Sequence, residues 1–105
     1  MNDDQLRDDL ETLLRGGLPT ESEQRPQTSD ERNAIVARLQ SVARDDRRGK
    51  LAVAGFLDHP YATGEEGIVE ACGTCMYYEL HRQFCALPEL ELPVKPEWSC
   101  RLWRI

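Results

Sequence analysis

A chain of 105 residues has room for one small domain, whose core alone gives only marginal stability unless something staples it. The net charge of −6 weighs against nucleic acid as a partner, because phosphate binding needs a basic face. No apolar run approaches the ~20 residues that cross a bilayer, and the opening "MNDDQLRDDL" is acidic where an export signal would be basic and then apolar, so no membrane insertion and a cytoplasmic location are expected.

Asn2, Asp3 and Asp4 offer N-capping groups, Leu6, Leu10, Leu13 and Leu14 follow at helical spacing, and Gly16-Gly17 supplies a stop. Residues 1–18 therefore form an amphipathic N-terminal helix. Residues 19–27 carry two prolines and no apolar periodicity, which is linker composition, so the leucine face is expected to be tethered and available for partner docking. A single small domain is expected over 28–105. Thr28 and Glu31 stand in capping-box spacing, and Ile35, Leu39 and Val42 with Ala34 and Ala43 predict a second helix over 28–48 that runs into "RDDRRGK". Two aspartates inside that stretch and no interleaved aromatics make it a solvated helix end rather than a nucleic-acid patch. "LAVAGFL", residues 51–57, fits either a buried strand or a helical turn, and "DHPYATGEEG", residues 58–67, reads as loop. From residue 68 onward Pro88, Pro93 and Pro96 argue for turns and short strands.

This last third holds all four cysteines, Cys72, Cys75, Cys85 and Cys100, in the pattern C-x2-C-x9-C-x14-C. In a reducing compartment such a set points to metal ligation before disulfides. A C-x2-C pair lets two thiolates converge on one centre. Zinc ribbons complete the site with a second such pair, whereas here the third and fourth cysteines stand singly. Ligands from three separate stretches suit an iron–sulfur cube, whose irons face different directions, and the neighbouring Tyr77, Tyr78, Trp98 and Trp103 could keep water from it. A [4Fe–4S] cluster, a structural Zn2+ and unligated cysteines all remain open on spacing alone. His59 and His81 lie in polar surroundings and read as surface residues.

The segment "CGTCMYY…CALPELELPVKPEWSCRLW" resembles the cluster-binding half of high-potential iron–sulfur proteins over roughly residues 70–105. The resemblance implies that Cys72, Cys75, Cys85 and Cys100 hold one [4Fe–4S] cluster and that Tyr77, Tyr78, Trp98 and Trp103 form its aromatic cage. It also implies a small α+β or irregular fold, with two N-terminal helices and a turn-rich lobe over residues 68–105 wrapped around the cluster. Amides near Gly73 and Thr74 are expected to donate to the sulfurs. The function expected is one-electron transfer, as a small accessory subunit of a larger redox enzyme or beside another electron-transfer protein. The alternative is a zinc-stapled interaction module whose leucine helix docks on a partner. With no Ser/His/Asp set, glycine-rich phosphate loop or distinct carboxylate pair, the chain is not expected to be an enzyme.

Overall fold

The computed structural model describes residues 2–23, 25–60 and 70–104. It is an α+β fold in which three helices precede a three-stranded antiparallel sheet. The expected loop at residues 61–67 and the first two residues of the expected lobe, 68 and 69, lie outside the described residues.

Helix α1, Asp3–Arg15, starts where Asn2 Oδ1 accepts the Gln5 amide at 2.8 Å, with Asp3 and Asp4 in the first turn and Arg15 in the last, as the helix dipole favours. It ends in paired reverse bonds, Gly17 N–H to the Leu14 carbonyl and Leu18 N–H to the Leu13 carbonyl. Gly17 holds φ at +90°, a conformation that glycine adopts without steric cost. The leucine face is not presented to a partner. Leu10 is 1% exposed in the core, Leu6, Leu13 and Leu14 pack half-buried against it, and α1 lies on the third strand and on α3. The reason is the shortage of apolar surface in so small a domain, which recruits this stripe as core. The described part of 19–27 is likewise fastened: Thr20 Oγ1 donates to the Phe56 carbonyl, Glu21 N–H to Ala52, and Arg25 pairs with Glu70.

Helix α2 runs over Ser29–Gln40 and stops well short of residue 48. Thr28 Oγ1 accepts the Glu31 amide at 3.1 Å, one half of the expected capping box, while the Glu31 carboxylate accepts from Gln27 N–H rather than from Thr28. The break comes because the Asp46 carboxylate accepts the Gly49 amide at 3.0 Å and so opens a separate helix, α3, at Arg47–Ala54. Most of "LAVAGFL" thus belongs to a helix. Gly55, at φ +69°, reverses the chain, and an added Cβ there would stand 3.0 Å from the Glu21 carbonyl oxygen and Ser22 Cα. Phe56 and Leu57 then run extended, and Leu57 exchanges amide bonds with Ser99 at 2.8 and 3.1 Å.

The C-terminal part is built from short pieces, as expected: a single 3₁₀ turn at Cys72–Thr74, then β1 Tyr78–Glu79, β2 Phe84–Cys85 and β3 Leu92–Pro93, in the order β1-β2-β3. Tyr78 pairs with Cys85, and Cys85 with Leu92. Pro93 is tolerated because β3 is an edge strand. Trp98, Phe56, Leu51, Leu90, Leu92, Val94 and Leu102 fill the core between helices and sheet. Among the described residues no helix is long and apolar enough to cross a membrane.

Candidate metal centre

Three separate pieces of chain bring the cysteines to one place. Cys72 and Cys75 lie on the 3₁₀ turn, where Cys75 N–H bonds back to the Cys72 carbonyl at 3.1 Å. That turn is bound to the strand of chain before Cys100, since Cys72 N–H donates to the Trp98 carbonyl and Gly73 N–H to the Pro96 carbonyl at 2.9 Å. Gly73 is required at this crossing: a Cβ on it would stand 2.9 Å from Pro96 Cβ and 3.2 Å from the Pro96 carbonyl oxygen. Cys85 enters from β2. Cys100 follows the bridge between Leu57 and Ser99, and the next residue, Arg101, donates its amide to Ala54 and its guanidinium to the Val53 carbonyl.

All four cysteines are free thiols and line one pocket with Phe56, Tyr78 and Trp103, which closes to a cavity of about 10 Å3. Cys72, Cys85 and Cys100 are buried and Cys75 is half-buried. Trp103 is half-buried and held by its indole N–H, which donates to Thr74 Oγ1 at 3.0 Å, while that hydroxyl donates in turn to the Ala71 carbonyl.

The electrostatics follow from burial. Burial pushes the Cys100 thiol up to about 12 from its usual 9.0, and the Cys85 charge adds to it, against the Leu102 N–H and the Arg32 guanidinium, which pull it down. Cys85 rises to about 11, again through burial, with the Leu87 N–H opposing. Cys72 is raised well above its ordinary value by burial and then by Cys100, Cys85 and Cys75, and burial raises Tyr78 as well. The buried thiols of Cys72, Cys85 and Cys100, held together out of water, stay protonated until a cation compensates them. Backbone amides oppose the rise at each thiol, Leu87 at Cys85, Leu102 at Cys100 and its own at Cys72. Those of Gly73 and Thr74, expected in that role, donate to the Pro96 and Ala71 carbonyls instead.

Of the aromatic residues anticipated around the cysteines, Tyr78 and Trp103 reach the pocket. Trp98 does not line it; it is 1% exposed within the core and contributes its carbonyl to Cys72. Tyr77 precedes Tyr78 on the chain and lines a different cleft with Arg32, Val36, Leu87 and Leu102. Tyr77 belongs to the turn before β1 and Tyr78 opens the strand, so the two rings leave the backbone into different clefts. Phe56 is the wall that sequence reasoning missed; its only signal is its place directly after a helix-ending glycine. His59 and His81 are exposed, and neither lines the pocket.

The donor set fits a thiolate-ligated centre: four sulfurs and aromatic walls. Among the described residues no three His, Cys, Asp or Glu side chains are arranged to hold a single metal ion. A zinc site draws its sulfurs to within ~2.3 Å of one point, whereas in an iron–sulfur cube each sulfur binds a different iron and the ring of ligands is wider. No protein-family model, no curated protein and no solved structure matches the chain.

Proposed function

We propose that Cys72, Cys75, Cys85 and Cys100 hold one [4Fe–4S] cluster, and that the protein serves one-electron transfer as a small accessory subunit of a larger redox enzyme or beside another electron-transfer protein. The observation that carries this reading is the convergence of four buried or half-buried thiols on one aromatic-walled pocket. The resemblance of residues 70–105 to the cluster-binding half of high-potential iron–sulfur proteins supports it from the sequence side. A reducing cytoplasm is the setting in which these cysteines persist as thiols. On this reading the chain is not itself an enzyme.

When bound, the cluster supplies a centre that gains or loses one electron at a potential set by burial, charge and hydrogen bonds to sulfur. The chain supplies the rest. The cysteine sulfurs are the ligands, and the Leu87 and Leu102 amides stabilise the Cys85 and Cys100 sulfurs as thiolates. Phe56 and Tyr78 exclude water from the inner walls, and Trp103, fixed by Thr74, covers the outer one. Ligation also cross-links three loops that share only two-residue strands, so metal binding and folding of this part are coupled.

An absorption spectrum of protein purified without oxygen, taken before and after dithionite, tests the reading. A brown sample with broad visible absorption that changes on reduction or oxidation is expected; a colourless protein carrying zinc would make the metal a structural staple.

A further inference from the structure

Three buried side chains carry a positive charge into the interior, and two of these have carboxylate partners. Arg7, 5% exposed, faces Asp4 at 2.8 Å, and Arg101, 3% exposed, faces Glu21 at 3.4 Å. The third, Lys50, donates to the Leu90 carbonyl, away from any cysteine. Arg32 is different. It projects from α2, is half-buried, has no carboxylate partner among the described residues, and donates through Nη1 to the Leu102 carbonyl at 3.1 Å. Leu102 stands two residues after Cys100, so the guanidinium is tied to the peptide segment that holds this ligand. Glu89 and Arg104 line the same cleft as Arg32, with Leu87 and Leu102.

We infer that Arg32 is a positioning residue that supplies an uncompensated positive charge to the Cys100 side of the metal centre and raises its reduction potential. The inference rests on the proposed four-cysteine cluster. A fixed cation beside a centre of net negative charge stabilises the state with one more electron, and partial burial limits its screening by salt. The hydrogen bond to Leu102 fixes where the charge sits.

The test is redox titration of the iron-loaded wild type, Arg32→Gln and Arg32→Lys, each with its iron content measured. Glutamine removes the charge and lysine keeps it. Arg32→Gln should show a reduction equilibrium about tenfold less favourable, which is ~59 mV more negative for one electron, with Arg32→Lys close to wild type. Iron lost from the glutamine variant but kept by the lysine variant would also support the charge. Equal potentials in wild type and Arg32→Gln at equal iron content would overturn the inference, as would loss of iron from both variants, which marks a merely structural role. Wild-type protein without iron would be visible at the first step and would remove the cluster reading together with this one.

Discussion

Residues 3–54 and residues 70–104 are held by different kinds of bond. In the first region each helix is closed by its own neighbours: Asn2, Thr28 and Asp46 cap the N-termini, and Gly17 and Gly55 turn the chain out of α1 and α3. The second region has strands of two residues and one 3₁₀ turn, joined by turn and cross-loop bonds such as Cys72 N–H to Trp98 and Val94 N–H to Gln83. Further carbonyls in it are satisfied from outside. Arg7 donates to the Arg82, Gln83 and Val94 carbonyls, Lys50 to Leu90, and Arg32 to Leu102, and all three donors stand on helices. The helical layer is therefore a scaffold whose buried cations fix the loops, and the loops in turn fix the cysteines. Such a division leaves the thiols placed but uncompensated, which is the arrangement a metal would complete.

The largest effect expected from breaking this arrangement lies at the ligands. Changing Cys85 or Cys100 to Ser should remove most bound iron and loosen residues 70–104, while the helices keep their amide protection in hydrogen exchange; a fully loaded Cys100→Ser protein would take that residue out of the ligand set. Next comes the scaffold. Arg7→Ala leaves the Arg82 and Val94 carbonyls without a donor, Gln83 keeping the Val94 amide, and should cost about 2–4 kcal/mol, read as a drop in Tm, whereas Arg44→Ala, which breaks only the exposed pair with Glu91, should cost less than about 0.5 kcal/mol. Equal effects from the two arginines would deny that buried cations hold the second region.

Alkaline pH should separate the regions in the metal-free protein. The folded-state values of Cys85 and Cys100 are raised to about 11 and about 12 from an ordinary 9.0, so the unfolded chain releases these protons first. Their contribution to stability is complete below pH 9.0 and is lost as the pH rises through about 11 and about 12. Tm should fall as the pH rises from 9.0 toward about 12, and less steeply in Cys100→Ser. A Tm that does not change over that range would mean that the thiols are not buried as described.

The sequence made the two regions legible to different depths. The caps at Asn2 and Thr28 and the leucine spacing of α1 carry local signatures, and those elements stand as expected. The break between α2 and α3 was hidden because Asp46, an N-cap, lies among alternating charges that resemble the end of one longer helix. Arg7 stands in an acidic helix, where its charge pointed to solvent, and only the fold reveals carbonyls from residues 82, 83 and 94 around it. The convergence of the cysteines was legible from their number and spacing. The walls of their pocket were less so. Phe56 comes from 16 or more residues before the first cysteine, and the amide donors of Leu87 and Leu102 are backbone groups that no residue type announces.

Iron, sulfide and zinc counted on one anaerobically purified sample of the full chain is the most direct measurement of what the four thiols hold. Near four irons and four sulfides per chain is the expected result, the composition of a single cube bound by four cysteines. About one zinc per chain with neither iron nor sulfide would contradict it and leave a structural metal in the same pocket.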